Sequence, residues 1–130
     1  MLRTQIAPFE GMPYSDDFDC ADFVVHVQKE LFGREVHLPG ARPRGKYAGE
    51  HLHTASQAYA YPTDAPVEGD LALMFDTGDA DIPTHAGVYV MLGGEPHVLH
   101  NAYRSGGSAT HPVRALQKLG ITIEGYYKWF

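Results

Sequence analysis

The chain reads as an α+β protein, with helix early and an antiparallel sheet after it. Three observations predict this. Apolar residues follow helical spacing between residues 20 and 32. The second half instead carries short apolar or alternating runs separated by glycine, proline and aspartate. Helix and strand patterns do not alternate along the chain, so nothing supports a parallel sheet.

Residues 1 to 19 read as loop, because Pro8, Gly11 and Pro13 break any early helix. From Cys20 to Phe32, Val24, Val27 and Leu31, joined by Phe23 and Phe32, mark one buried helical face. Asp19 is placed to cap that helix and Gly33 to end it, which puts Cys20 in the first turn. Residues 37 to 48, "HLPGARPRGKYA", form a proline- and glycine-rich connection, and a short second helix is expected within "GEHLHTASQAYA". "GDLALMFD", "HAGVYVML" and "HVLHN" read as three strands, with "THPVRAL" and "ITIEGYYKWF" as later ones. The expected sheet therefore has about five to six strands. "RSGGS" reads as a turn.

With 130 residues, 44% of them hydrophobic and 20% charged, the expectation is one domain spanning 1–130. A formal net charge of -6 leaves no basic excess for a nucleic-acid backbone. The single cysteine excludes a disulfide framework and any Cys-x-x-Cys redox or zinc pattern. "MLRTQIAPFEGMPY" lacks the apolar run of a secretory signal, and no stretch reaches membrane-spanning length. The expectation is a protein made in the cytoplasm without membrane insertion. If it acts elsewhere, something else carries it there.

The position of the lone thiol has a chemical reading. Helix N-termini present partial positive charge and free N–H donors, which favour a thiolate and can hold an oxyanion beside it. A lone cysteine at a helix start is more often a small buried hydrophobe, so the thiol needs partners to count. A nucleophilic thiol requires a base, and the base a third group that fixes its ring. His85 opens "HAGVYV" and His100 closes "HVLH"; adjacent antiparallel strands would set the two imidazoles side by side.

"GMPYSDDFDCADFVVHVQKELFGREVHLP", followed by "EGDLALMF", "THAGVYV" and "HVLHN", resembles the NlpC-type cell-wall cysteine peptidases, most closely the short forms of phage tail-tip and prophage proteins. The resemblance runs over about residues 9 to 101. It implies a papain-like fold, with N-terminal helices packed on a central antiparallel sheet. Matched residue by residue, it implies that Cys20 is the nucleophile, His85 its base and His100 the residue that orients the base. The Cys20 backbone N–H and Tyr14 fall on the oxyanion side. The implied reaction is hydrolysis of amide bonds in peptidoglycan stem peptides, commonly between D-glutamate and a diamino acid, through a thioester and without cofactor or metal. Phage tail or secretion-assembly proteins are the implied partners, and a virion tail or the cell wall the implied place of action. The chain departs from many relatives in having Ala21 and Asp22 where they carry Ser-Gly or Trp-Gly. The Asp22 carboxylate opposes thiol ionisation if it faces the sulfur, or caps the helix if it does not. The link from His85 to His100, through "LGGEPHV", is also a few residues long, as a longer hairpin would make it.

Two rivals follow from the same residues. A CHAP-type amidase shares the helix cysteine and strand histidine but takes a third residue such as asparagine, which points to Asn101. A structural or binding module of a phage tail or secretion assembly, with a decayed site, is the other, motivated by Ala21 and Asp22. Further signals carry less. Asp76-Thr77-Gly78 has the look of an aspartic-peptidase loop but reads better as a hairpin turn. His51 and His53 lack a third metal partner, and "DDFDC" lacks the glycine and distal glutamate of a calcium loop. Arg42, Arg44 and Lys46 read as a solvated loop, and "YYKWF" as closing the sheet.

Overall fold

In the computed structural model, which describes residues 1–15, 17–38, 58–76 and 85–130, a six-stranded antiparallel sheet carries one principal helix. The N-terminal segment is not loop throughout. Arg3–Ile6 forms a single helical turn (α1), continued by a 3-10 turn at Ala7–Phe9 with a proline at its start. Proline suits that position because its missing N–H has no partner to lose there. Burial of Ile6 and Phe9 in the main core holds this segment down.

Helix α2, Cys20–Phe32, has the expected bounds. The Asp19 carboxylate accepts from the Asp22 N–H at 2.9 Å, and the Asp22 carboxylate accepts from the Asp19 N–H at 3.0 Å. This reciprocal box satisfies two N–H groups that the helix start leaves unpaired. Gly33 ends the helix at φ 65°, left-handed backbone that costs glycine little. Cys20, Phe23, Val24 and Val27 lie on the buried face. At its far end the buried Gln28 side chain donates to the Gly69 carbonyl at 2.7 Å, which also accepts from the Trp129 indole at 3.0 Å.

The strands are β1 (Ala60–Thr63), β2 (Leu71–Phe75), β3 (His85–Leu92), β4 (Glu95–Ala102), β5 (Gly107–Pro112) and β6 (Thr122–Trp129), in the sheet order β1-β6-β2-β3-β4-β5. β3 and β4 pair from Gly87↔His100 to Leu92↔Glu95 around the two-residue turn Gly93-Gly94, at φ 60° and 75°. Positive φ at both central residues is what a tight turn matched to strand twist requires. The link between the two histidines is therefore a long hairpin, two eight-residue strands joined by a two-residue turn. "THPVRAL" is likewise divided: Pro112 ends β5, and Val113–Leu119 is a 3-10 helix.

Alternation along the strands gives the sheet two covered faces. Leu71, Leu73, Ala86, Val88, Val90 and Leu99 pack with α2 in the main core. Ala72, Met74 and Val98 point the other way, under Leu116 and Ile121 of the 3-10 segment and its exit. The second helix expected within 49–60 falls mostly outside the described residues; of its span, residues 58 and 59 are helical and Ala60 opens β1. Arg42, Arg44, Lys46, His51, His53 and the 77–84 link also lie outside them. No helix among the described residues is long and apolar enough to cross a membrane.

Candidate active site

His85 is the first residue of β3 and pairs opposite Met74; His100 pairs opposite Gly87, two residues further along. The two histidines are thus diagonal neighbours on one face of adjacent strands, within reach of long side chains. Their rings meet edge to face, with centroids 5.0 Å apart and Nε2 of His85 2.8 Å from Nδ1 of His100. Sequence reasoning had no register and could not see the next step. His100 pairs opposite Ala109 on β5, so His111 is again the diagonal neighbour, and Nε2 of His100 lies 2.8 Å from Nδ1 of His111. Three imidazoles form a chain across three strands, each sharing one proton with the next. The only sequence hint was a histidine in a segment already read as strand.

Gly87 makes the chain possible. A Cβ there would sit 2.5 Å from Val98 Cγ1 and 3.0 Å from both His100 Cβ and Met74 Cε. The His100 Cβ is fixed to the neighbouring backbone and cannot swing aside. We expect Gly87→Ala to cost about 1–3 kcal/mol by overpacking and to displace His100. At Gly125, on β6, an added Cβ meets nothing closer than 3.5 Å. Urea denaturation of the two alanine variants checks this: Gly125→Ala should keep most of the stability that Gly87→Ala loses.

Cys20 heads α2, 4% exposed, in the apolar cluster with Phe23 and Leu99. Strand alternation sets His85, Gly87 and His100 on the face of the sheet opposite the one α2 covers, with His85 at the start of β3. There Asp19, the residue before Cys20, is near enough for its carboxylate to act on the His85 imidazole. Asp76, just after β2, acts on it in the same sense. Both favour a charged ring, but burial outweighs them and pushes the His85 pKa down from 6.5 to about 4. His100, with no exposed surface, is held well below its ordinary value by burial and then by its two neighbours. His111, half-buried on the edge strand, is also lowered by burial, and the Glu10 carboxylate partly offsets this.

The segment leading into the cysteine is clamped to the sheet. Ser108 donates its hydroxyl to the Phe9 carbonyl at 2.6 Å and accepts from the Met12 N–H at 2.8 Å. Asn101 donates to the Phe18 carbonyl at 3.2 Å, immediately before the helix cap, while His100 occupies Nε2 of His85. Asn101 thus serves the turn that presents Cys20. Asp22 is held by the capping box, which answers whether its carboxylate serves the cap. Tyr14 is partly buried with its ring edge-on to Tyr103, centroids 6.1 Å apart. Tyr103 is exposed, one residue beyond β4.

A cavity of about 400 Å³ runs beside Val25, Lys29 and His37, along the later turns of α2 rather than at Cys20. Among the described residues, no group of three or more histidine, cysteine or acidic side chains is arranged to hold a metal. The imidazole nitrogens of the chain point at one another instead of at a common centre. Compared with known proteins, the chain matches no family model, no curated protein and no solved structure.

Proposed function

We propose that the protein is a cysteine amidase or endopeptidase of the NlpC type, built on a papain-like variant of the α+β fold and acting on peptidoglycan stem peptides. The observation that carries the reading is the 2.8 Å bond between His85 and His100, two residues singled out for one catalytic unit. The helix-borne Cys20 supplies the second support, with its capped N-terminus and with Asp19 close to His85. In this reading Cys20 attacks the scissile carbonyl as a thiolate. N–H groups at the helix start, that of Cys20 among them, stabilise the oxyanion. His85 takes the thiol proton through Nδ1, the nitrogen not engaged with His100, and returns it to the leaving amine. The thioester is then hydrolysed by water that His85 activates. Tyr14 is the aromatic residue on the oxyanion side.

The engagement of His85 by His100, with Asn101 bonded to Phe18, favours this type over a CHAP-type amidase. The test is release of new amines from peptidoglycan fragments by the purified protein. His100→Ala should reduce the rate by about 10²-fold or more, since an unoriented imidazole rarely presents the right nitrogen. Asn101→Ala should cost mainly stability. A severe loss confined to Asn101→Ala would favour the rival, and no release by the wild type would sink the peptidoglycan reading.

The buried sulfur also fits a binding module of a phage tail or secretion assembly. Iodoacetamide separates the two: a catalytic Cys20 labels well below the ordinary thiol range near pH 8.5, and a sealed core cysteine does not.

A further inference from the structure

We propose that His111 is the proton terminus of the site: the proton leaving Cys20 is passed through His85 and His100 and resides on His111 while the thiolate is free. This rests on the reading of Cys20 and His85 as nucleophile and base. It adds a fourth side chain, on a strand that carries none of the other three.

The geometry allows direct transfer across both bonds. In the relay's resting state each neutral ring would carry its proton on Nε2, so that His85 donates to His100 and His100 to His111 across the two 2.8 Å contacts. When the thiol ionises, its proton goes to Nδ1 of His85. The Nε2 proton of His85 passes to Nδ1 of His100, and the Nε2 proton of His100 to Nδ1 of His111. His111 keeps its own Nε2 proton and becomes the imidazolium. His85 and His100 end neutral, each with its proton moved from Nε2 to Nδ1. One proton has left sulfur, one positive charge has appeared at His111, and every bond of the chain is kept with its direction reversed. His85 now offers an Nδ1–H toward the sulfur side, the form needed to protonate a leaving amine, and that transfer runs the chain backward.

Burial explains why the charge would travel. His85 and His100 are 5% and 0% exposed, where a positive ring lacks solvent. His111 is the half-buried member, on the edge strand. Among the described residues, the carboxylates that act on the chain stand at its two ends. Asp19 and Asp76 act on His85, and Glu10, itself 4.0 Å from Arg3, acts on His111. The two flanking imidazoles act on His100. A base confined to His85 would have to hold its proton at the site where burial pushes its pKa to about 4. The chain removes that requirement.

The test is the pH profile of iodoacetamide labelling at Cys20, with folding followed by thermal unfolding. His111→Asn keeps an acceptor for the His100 N–H but cannot carry the proton. We expect its profile to move to higher pH by at least about one unit, so that labelling at pH 6.5 falls about tenfold. Glu10→Gln, which changes no member of the chain, should move the profile the same way by less. A residue that only orients His100 would be replaced by asparagine without a shift. Unshifted profiles in both variants would therefore overturn the relay while leaving a low-pH-reactive Cys20 in place. A wild-type thiol that labels only near its ordinary range would overturn the relay and the nucleophile together. If His111→Asn does not fold, Glu10→Gln decides alone: a shift supports the relay and an unchanged profile rejects it.

Discussion

Replacing Cys20 by alanine is expected to abolish amine release from peptidoglycan fragments, by at least about 10³-fold, while leaving the fold intact. The size follows from the chemistry. Without sulfur no thioester forms, and what remains is whatever the oxyanion site and substrate positioning achieve with water. The fold should survive because the change removes one atom from a site 4% exposed, at the start of a helix whose cap depends on Asp19 and Asp22. Lost packing of about 1 kcal/mol is partly offset by alanine's preference for helix. Comparing amine release with urea midpoints keeps the two effects apart. Equal activity in the alanine variant would end the enzymatic role of this thiol, whatever the histidines do.

The second large effect is acid destabilisation, and it holds whether or not the protein is an enzyme. His85 titrates near 6.5 in the unfolded chain and near 4 when folded. Between those values the unfolded chain binds more protons, so the free energy of unfolding rises with pH across the window. The contribution is complete above about pH 6.5 and is lost as pH falls toward 4. At about 1.4 kcal/mol per unit, the fall from 6.5 to about 4 amounts to about 3 kcal/mol. His100 and His111 are lowered as well and act in the same direction. Urea midpoints at pH 7, 6, 5 and 4 should therefore decline steadily, and His85→Gln should flatten the decline. A constant midpoint in the wild type over this range would mean that His85 is not buried neutral.

The two expectations make opposite demands on one side chain. Burial that stabilises neutral His85 works against its holding a proton from a thiol. A short proton chain to an edge strand meets both demands, because the ring can accept and pass on a proton without staying charged. The strand geometry favours such a chain. Diagonal neighbours on successive antiparallel strands continue one line across the sheet, and each imidazole has a nitrogen at either end to extend it.

Local physics made several features legible in the sequence. Helix α2 was readable to the residue because its signals are short-range: an aspartate that caps, an apolar face at helical spacing, and a glycine that ends it. The placement of Cys20 in the first turn came with it. His85 and His100 were identifiable as a pair, since each falls at the end of an apolar run that alternates as a strand does. The single turn at Arg3–Ile6 was missed because prolines nearby argue against helix, and tertiary burial of Ile6 and Phe9 overrides them. The long link from His85 to His100 was legible as a longer hairpin, but not that Gly93-Gly94 alone forms its turn.

The remaining features came from long-range pairing and packing. That β5 lies beside β4, in a register that sets His111 against His100, depends on pairing between segments whose order in the sheet no local pattern encodes. The need for glycine at residue 87 became visible only once His100 and Val98 stood over it. Which residues carry usable chemistry, and which stretches coil or extend, could be read along the chain, because those properties are set by neighbours in the chain. Which side chains share a proton, and which carry a charge, was left to packing, because hydrogen bonding and burial are set by neighbours in space.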